Sequence, residues 1–229
     1  MNFSNIELYY CYAPGEQNHL KIAGEEVFHI LKVMRHVVGD EIFTTDGNGN
    51  IYKGQIAKLY KSEITVNIIE QFTFENKFRN YIFCIPNLKS TGRLEFALEK
   101  SVELGITKFV LFNSERTVSK SFRTERFRKI LISAMKQSLQ SFLPEIISAC
   151  TIQDIAKLNA KKIVFEQNAG KVFDASLVNN ETEDCYFIFG PEGGLSQIEL
   201  NLFDQNSQYQ LAENRLRTET AIVKLASIL

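Results

Sequence analysis

The spacing of apolar residues along the chain changes near residue 80. Before that point, short apolar stretches separated by polar turns predict β-strands, with one short helix over residues 25–34. Strands over residues 42–45 and 51–59 flank Asp46-Gly-Asn-Gly-Asn50, a turn sequence typical of a β-hairpin. Because no helix follows this turn, its glycines do not predict a phosphate-binding loop. An alternating strand over residues 62–70 completes a small β-barrel.

From residue 81 onward, strands and helices alternate, which indicates a parallel α/β domain with helices on both faces of the sheet. Strands are predicted over residues 81–85, 107–112, 145–150, 162–166 and 185–189, and helices over residues 93–104, 123–140 and 152–158. Residues 71–80 are mostly polar and are interpreted as a linker. The predicted domains therefore cover residues 1–72 and 73–229.

A strand, a glycine-rich turn and a helix follow one another directly near residue 190. The buried strand 185–189 leads into Gly190-Pro-Glu-Gly-Gly194, and Ser196 with Glu199 fits a capping box that opens a helix. Glycines let the backbone approach a ligand closely, and α/β sheets usually bind ligands at the carboxyl ends of their strands. A tight turn that binds nothing is the alternative interpretation.

A polar run separates the last two apolar segments. It lies within Leu216-Arg-Thr-Glu-Thr-Ala221, and an apolar helix is predicted over residues 222–229. A helix N-terminus explains Thr218 as a cap and Glu219 as a favourable charge. It does not explain Arg217, because a cation is disfavoured at that end of a helix. Arg217 is therefore a candidate functional residue.

Composition and cysteine usage narrow the class of protein. Hydrophobic residues make up 45% and charged residues 23% of the 229 residues, as expected of a globular protein with a core. No signal peptide and no membrane span are expected, because no apolar run is long enough. The four cysteines are far apart, which predicts reduced thiols, a cytoplasmic setting and no zinc site. Walker and dinucleotide-binding motifs are absent.

Charge is nearly balanced overall but uneven along the chain. The net charge of −1 argues weakly against a nucleic acid partner. One segment is strongly basic, and Glu125 alone opposes its cations, which are Arg116, Lys120, Arg123, Arg126, Arg128, Lys129 and Lys136. A solvated helix face is the usual meaning of such a run, and a phosphate-contacting surface is the alternative.

Two motifs together resemble a known superfamily. Gly190-Pro-Glu-Gly-Gly-Leu195, followed by Leu216-Arg-Thr-Glu-Thr-Ala221, resembles the paired motifs of the SPOUT methyltransferases. More narrowly, the chain is similar to the RsmE family, the uridine-N3 methyltransferases of small-subunit (16S) ribosomal RNA. Segments within residues 29–49 resemble the PUA-like RNA-binding domain of that family, and Lys100-Ser-Val-Glu-Leu-Gly105 and Ser114-Glu-Arg116 match its pattern further along.

The resemblance implies a fold and an assembly that the periodicity does not reveal. It implies a SPOUT-type knotted parallel α/β domain over residues 73–229, with a C-terminal trefoil knot, preceded by a small PUA-like β-barrel over residues 1–72. It also implies a homodimer with the active site near the subunit boundary. Two positions depart from the family, Ala212 where members usually have Gly and Gln140 where they usually have Arg. These departures affect the expected shape of the cofactor pocket and one expected RNA contact.

The resemblance further implies S-adenosylmethionine as the methyl donor, small-subunit ribosomal RNA or the assembled subunit as the partner, and no membrane partner. The expected cofactor-binding residues are Phe165, Glu166, Phe189, Gly190, Pro191, Gly194, Leu211, Leu216, Thr218, Thr220 and Ala221. The expected RNA-binding residues are Arg35, Lys89, Arg93, Lys100, Arg116, Arg123 and Arg126. Arg217 is the expected catalytic cation, and Glu219 is either a base or a group that orients Arg217.

Other functions stay open at this point. One is a SPOUT-shaped RNA-binding protein without turnover, another is a methyltransferase of a different RNA, and a third is an enzyme that acts on a small molecule. The intact motifs at residues 190–194 and 217–221 argue against an RNA-binding protein without turnover. The N-terminal barrel and the basic segment argue against a small-molecule enzyme.

Overall fold

The chain folds into two compact units. A computed structural model describes residues 6–11, 13–14, 18–117, 122–179 and 182–229. The first unit comprises Met1–Lys77 and Ile132–Leu143, and the second comprises Phe78–Leu131 and Pro144–Leu229. Lys120, one cation of the basic segment, lies outside the described residues. The sequence-based domain limits, 1–72 and 73–229, stay a prediction.

The first unit is built on a six-stranded sheet. Its elements are β1 (Leu8–Tyr10), β2 (Ala13–Pro14), β3 (His19–Ala23), α1 (Glu25–Phe28), β4 (Glu41–Thr45), β5 (Asn50–Leu59) and β6 (Glu63–Thr73). The strand order is β1-β4-β5-β6-β3-β2, and every neighbouring pair is antiparallel except β1 with β4. The helix predicted over residues 25–34 is α1 followed by a π-helical turn, His29–Val33. The prediction of a linker was wrong for residues 71–73, which continue β6.

The predicted hairpin is confirmed by the antiparallel pairing of β4 with β5. The carboxylate of Asp46 holds its turn, accepting hydrogen bonds from the Asn48 N–H at 2.8 Å and from the Tyr52 hydroxyl at 3.0 Å. Gly47 and Gly49 adopt the left-handed backbone that such a turn requires, with φ angles of 72° and 96°. The turn is therefore a structural element of the first unit.

Strands and helices alternate through the second unit, as the sequence predicts. Its elements are β7 (Tyr81–Pro86), α2 (Thr91–Glu103), β8 (Lys108–Asn113), α3 (Thr124–Gln137), β9 (Glu145–Thr151), α4 (Ile152–Lys157), β10 (Lys161–Phe165), β11 (Cys185–Ile188), α5 (Gln197–Leu200), β12 (Gln208–Tyr209) and α6 (Thr218–Ile228). From Ile132 onward, the residues of α3 belong to the first unit. The strands form one parallel sheet in the order β12-β10-β11-β7-β8-β9. The parallel α/β class is therefore confirmed.

Strand β7 lies at the centre of the second unit's core. It is buried along its whole length, as expected of a parallel strand covered on both faces. Phe83 packs edge-on against Phe109 and Phe187, with ring centroids 6.4 Å and 5.7 Å apart. Cys84 and Cys185 are buried free thiols, as predicted, and burial raises the pKa of the Cys84 thiol. Both cysteines therefore act as small apolar residues of the core.

Three neighbouring strands end together at one edge of the parallel sheet. Val164 near the end of β10 pairs with Ile188, the last residue of β11, and with Gln208 in β12. The loops that follow these strands therefore meet at the carboxyl edge, where α/β sheets usually place their sites.

Helix α6 begins at Thr218, earlier than the predicted start at residue 222. Arg217 occupies the N-cap position in an extended conformation, and its side chain makes no capping hydrogen bond. The interpretation of Thr218 as the cap was therefore wrong, since Thr218 is the first helical residue. The helix start was misplaced because Thr218 and Glu219 are polar in the sequence, whereas both are buried in the fold.

Within the described ranges, no helix is long and apolar enough to cross a membrane. The same ranges contain no group of His, Cys, Asp and Glu side chains that could hold a metal ion.

Candidate active site

A cavity of about 610 Å³ lies at the carboxyl edge of the parallel sheet and is called here the larger cavity. Its walls come from the loops after β10 and β11, from α5, and from the segment that leads into α6. The two sequence motifs therefore meet around one space, although they are separate in the chain.

The inner wall of the larger cavity is apolar. Phe165 and Phe189 are stacked, with ring centroids 5.1 Å apart and an angle of 29° between the ring planes. Leu211 and Leu216 add aliphatic surface, while Gln167 brings a polar side chain to the lining. An apolar wall with a few polar groups suits an organic ligand that has an apolar body and a small number of hydrogen-bonding atoms.

The glycine-rich turn leaves little room for a side chain at its first position. A Cβ on Gly190 would lie 3.1 Å from the backbone nitrogen of Leu195 and 3.2 Å from Cα of Gly194. Gly194 has a φ of 69°, which is the left-handed conformation that favours glycine. The turn closes through a hydrogen bond of 2.8 Å from Gly194 N–H to the carbonyl oxygen of Pro191. Glycine is thus favoured at residue 190 by close packing and at residue 194 by the left-handed backbone.

The start of α6 is tied to the glycine-rich turn. The hydroxyl of Thr218 donates a hydrogen bond of 3.0 Å to the carbonyl oxygen of Gly190. Thr218 is buried and lines the larger cavity. This bond fixes the position of the second motif relative to the first.

Glu199 joins the turn to a loop from elsewhere in the sheet. The predicted capping box is confirmed, because Ser196 Oγ accepts from Glu199 N–H while Glu199 Oε2 accepts from Ser196 N–H at 2.8 Å. The other oxygen, Oε1, accepts from the Glu115 N–H at 2.8 Å. Glu199 is only 2% exposed. One buried carboxylate therefore forms hydrogen bonds with both the N-terminus of α5 and the loop after β8.

Arg116, in the same loop after β8, reaches over the glycine-rich turn. Its Nη1 donates to the carbonyl oxygen of Gly193 at 2.5 Å, and its side chain forms part of the larger cavity wall. A Cβ on Gly193 would lie 3.4 Å from Cδ of Arg116, so the two pack closely. Arg116 therefore braces the turn from outside.

A second cavity, called here the smaller cavity, has a volume of about 360 Å³. Arg93 and Arg217 line this cavity and do not line the larger one. The residues common to both cavities are Glu192, Arg215, Leu216 and Thr218. The two cavities therefore adjoin along a shared wall.

Glu219 pairs with a residue of α2. Its Oε1 lies 3.5 Å from Nε of Arg93, and its side chain is 11% exposed against 40% for Arg93. Its Oε2 is buried and makes no hydrogen bond within the described part of the chain. Glu219 therefore contacts Arg93, and its expected role as a base or as a group that orients Arg217 stays a prediction.

Two family models match the sequence. The RNA methyltransferase domain matches residues 75–229, which is more than half of the chain. The chain belongs to the RNA methyltransferase family. The RNA methyltransferase PUA domain matches residues 22–69, which confirms the PUA-like domain predicted at the front of the chain.

Individual members of the RNA methyltransferase family resemble this chain along most of its length. Ribosomal RNA small subunit methyltransferase E 1 of Borreliella burgdorferi is 31% identical, and the match covers 87% of each chain. Relatives with this name confirm the resemblance to the RsmE family.

Solved structures of the same family share the fold. A probable rRNA-methyltransferase from Porphyromonas gingivalis is 29% identical with a TM-score of 0.82, over 96% of this chain and 95% of that one. A ribosomal RNA small subunit methyltransferase E from Neisseria gonorrhoeae, bound to S-adenosyl methionine, is 25% identical with a TM-score of 0.83, over 97% and 96% of the two chains. The SPOUT fold class is thereby confirmed.

The fold brings most of the predicted cofactor residues together. Those that line the larger cavity are Phe165, Glu166, Phe189, Gly190, Gly194, Leu211, Leu216, Thr218 and Ala221. Pro191 and Thr220 lie outside the lining of both cavities. Pro191 is buried and closes the turn through its carbonyl, while Thr220 is exposed on α6. The cofactor roles of these residues stay predictions.

The cations expected to bind RNA differ in their surroundings in the second unit. Lys100 pairs with Glu99 and Glu103 at 2.8 Å and 2.7 Å, and these carboxylates raise its pKa to about 12. Arg126 pairs with Glu95, whose Oε1 lies 2.5 Å from Nε. Intramolecular carboxylates therefore already offset the charge of both side chains.

The other expected RNA-binding cations are exposed or take part in the cavities. Arg123 and Lys89 are exposed, and the Lys89 N–H donates to Glu192 Oε1 at 3.1 Å. Arg93 lines the smaller cavity. Arg35 belongs to the first unit, where it is exposed and has a left-handed φ of 58°. The RNA-binding roles of these residues stay predictions.

Several cavity residues were not foreseen from the sequence. Gln167 and Asn168 follow the end of β10 and line the larger cavity. Glu192 and Arg215 line both cavities. The rule that strand ends form sites would have found Gln167 and Asn168 if it had been extended beyond Glu166. Arg215 precedes the second motif and carries no local signal.

Proposed function

We propose that this protein transfers a methyl group from S-adenosylmethionine to N3 of a uridine in small-subunit (16S) ribosomal RNA. The observation that carries this proposal is the pair of adjoining cavities, one mostly apolar and one rich in arginine. A group transfer between two bound molecules requires such neighbouring spaces. The names of relatives in the RNA methyltransferase family support methylation of small-subunit ribosomal RNA, and the structure from Neisseria gonorrhoeae bound to S-adenosyl methionine supports this donor.

The larger cavity fits the methyl donor. Its volume of about 610 Å³ lies within the range of small-molecule sites. Phe165, Phe189 and Leu211 would bury the apolar and aromatic parts, and the backbone near Gly190 and Gly194 would supply hydrogen-bonding groups at close approach. When bound, S-adenosylmethionine supplies an electrophilic methyl group on a sulfonium.

The side chain of Arg217 faces the smaller cavity and is proposed to stabilise negative charge on the uracil. Uridine N3 carries a proton, so the reacting species is the uridinate anion or a species close to it. A fixed cation beside the uracil carbonyl oxygens lowers the cost of forming this anion. Leu216, in the wall between the cavities, excludes water from the reacting edge.

The substrate must present an unpaired or flipped-out uridine, because base pairing occupies the N3 edge. The match of residues 22–69 to a PUA domain supports RNA binding by the first unit, with Arg35 as a contact. Arg123 and Lys89 are the proposed phosphate contacts of the second unit, since both are exposed.

We also propose a homodimer, a trefoil knot in the C-terminal part of residues 73–229, and a cytoplasmic setting. The homodimer and the knot rest on the resemblance to SPOUT methyltransferases. The cytoplasmic setting is supported by the free cysteines at positions 11, 84, 150 and 185.

The test is transfer of tritium from labelled S-adenosylmethionine to small ribosomal subunits that lack their native methylation, followed by identification of the labelled nucleoside. Label in 3-methyluridine supports donor, substrate and reaction together, and Arg217→Ala should abolish it while cofactor affinity stays unchanged. Label only in another RNA would favour a different substrate. An absence of label, with cofactor bound according to calorimetry, would favour an RNA-binding protein without turnover.

A further inference from the structure

We infer that the smaller cavity binds the uracil of the target nucleotide, and that Arg93, oriented by Glu219, supplies it with positive charge. This inference rests on the proposed function, and it adds Arg93 as a catalytic residue and Glu219 as a positioning residue.

The location of the smaller cavity suits an acceptor base. It shares Leu216, Thr218, Arg215 and Glu192 with the larger cavity, so ligands in the two cavities would be direct neighbours. Its volume of about 360 Å³ lies near the lower end of the range for small-ligand sites, as expected for one nucleotide.

The charge of the smaller cavity suits an anionic ring. Arg93, Arg215 and Arg217 line it, and Glu192 is the single carboxylate among the described residues of its lining. One oxygen of Glu192 already accepts a hydrogen bond from the Lys89 N–H. The cavity is therefore positive, and guanidinium groups provide paired N–H donors for the carbonyl oxygens O2 and O4 of a uracil.

The position of Glu219 favours a positioning role over a role as the base. It lines neither cavity, and its side chain is 11% exposed. A general base must come within hydrogen-bond reach of the proton that it removes. Glu219 instead places Oε1 3.5 Å from Nε of Arg93, which is the edge of that guanidinium nearest the main chain. The carboxylate therefore fixes the direction of Arg93 and leaves its terminal amino groups for the ligand.

The reaction then needs no carboxylate base. The N3 proton of the uridine passes to water, and the resulting charge spreads over O2, N3 and O4, next to Arg93 and Arg217. The N3 lone pair forms the new bond to the methyl carbon. The carbon–sulfur bond breaks, and its electron pair stays on sulfur, so the sulfonium becomes a neutral thioether.

The first experiment measures single-turnover methyl transfer to unmethylated small subunits from neutral to alkaline pH, with enzyme saturated in S-adenosylmethionine. We expect Arg93→Gln to lower the rate about 100-fold at neutral pH. The deficit should shrink as pH rises, because hydroxide then forms the uridinate without help. Cofactor affinity by calorimetry and RNA affinity by filter binding should stay close to wild type. Lys108→Gln is the matched control, because Lys108 is a partly buried cation that faces Asp184 at 3.9 Å and lines neither cavity.

The second experiment compares two substitutions of Glu219. Glu219→Gln keeps a side-chain oxygen that accepts from Arg93, so most of the rate should remain, whereas Glu219→Ala should approach the rate of Arg93→Gln. Equal inactivity of Glu219→Gln and Glu219→Ala would show that Glu219 is a base and overturn its positioning role.

The outcomes separate this inference from the proposed function. Failure of the wild-type protein to label any uridine refutes the proposed function itself. Normal labelling by the wild type, together with a normal rate and pH profile for Arg93→Gln, refutes the role of Arg93 alone.

Discussion

The hydroxyl of Thr218 donates a hydrogen bond of 3.0 Å to the carbonyl oxygen of Gly190, 28 positions earlier in the chain. This bond joins the first helical residue of α6 to the first residue of the glycine-rich turn, which follows β11. The shape of the larger cavity depends on it, because both residues belong to the cavity wall.

Thr218→Val should weaken cofactor binding by about fivefold to tenfold, because one hydrogen bond contributes about 1 kcal/mol and the Gly190 carbonyl loses its partner. Valine keeps the shape of threonine, so the fold should persist. Calorimetric titration with S-adenosylmethionine measures the effect. Ser227→Ala is the control, since Ser227 makes an exposed bond to Lys224 O on the same helix. Equal cofactor affinities for wild type and Thr218→Val would show that this hydrogen bond does not contribute to cofactor binding.

Gly190→Ala should reduce cofactor affinity about tenfold or more, because the added methyl group meets backbone atoms of Gly194 and Leu195 and forces the turn to shift. Gly170→Ala is the control, since a Cβ there meets nothing within 4 Å. Calorimetry on both variants checks the prediction. An unchanged dissociation constant for Gly190→Ala would show that the exact shape of the turn does not matter for cofactor binding.

Arg116→Met and Arg123→Met should each weaken the binding of a different ligand, the cofactor in the first case and RNA in the second. Arg116 donates to Gly193 O, so its loss should weaken cofactor binding about fivefold while RNA affinity changes little. Arg123 is exposed, so its loss should weaken RNA binding and reduce the salt dependence of that binding. Parallel cofactor titrations and RNA filter-binding assays distinguish the two. The reverse result for Arg116 would make it an RNA contact.

Glu199→Gln should destabilise the second unit by about 2 kcal/mol, because the amide cannot accept at both ends from the Ser196 and Glu115 N–H groups. Urea denaturation followed by circular dichroism measures the change. Asp154→Asn is the control, since it alters the other capping box, at Thr151, which is exposed. Its effect should be smaller, and a larger effect there would contradict the role given to burial of Glu199.

Asp154 should make the free energy of unfolding depend on pH in the acidic range. Hydrogen bonds from Thr151 lower the pKa of the Asp154 carboxyl in the folded protein. A lowered folded-state pKa gives a contribution that is present above the unfolded-state pKa and is lost as pH falls through the folded-state value. The difference in free energy of unfolding between wild type and Asp154→Asn should therefore shrink on acidification. Urea titrations at several pH values measure this difference. If it grew as the pH fell, the role of the Asp154 carboxylate as a hydrogen-bond acceptor would be contradicted.

Local patterns in the sequence were sufficient to predict much of the candidate site. The capping box of Ser196 and Glu199 follows from residue types at fixed spacing, and the structure contains it. The second role of Glu199, its bond to Glu115 N–H, joins residues 84 positions apart and leaves no local pattern. Sequence periodicity identifies elements, whereas such a contact exists only after the sheet has ordered its strands.

The pattern of charges along the chain located the basic segment but did not show which groups its cations contact in the fold. The run that begins at Arg116 allowed either a solvated helix face or a phosphate-contacting surface, and the structure shows that Arg116 donates to a backbone carbonyl and that Arg126 pairs with Glu95. Arg93 and Glu219 come from distant parts of the chain, and only the packing of α2 against α6 brings them together. The pairing of cations and carboxylates across a fold is set by tertiary geometry, which a charge count cannot contain.

The order of strands in the parallel sheet has a consequence for when ligand affinity arises during folding. Strand β7 pairs with β8, the next strand in the chain, and with β11, which follows only after three further strands. Pairing of β7 with β11 closes a long loop, and such long-range pairings form slowly because of their entropy cost. The larger cavity follows directly from β11, so it cannot exist before this step. An incompletely folded chain is therefore unable to sequester the methyl donor, and donor affinity reports that the second unit has matured.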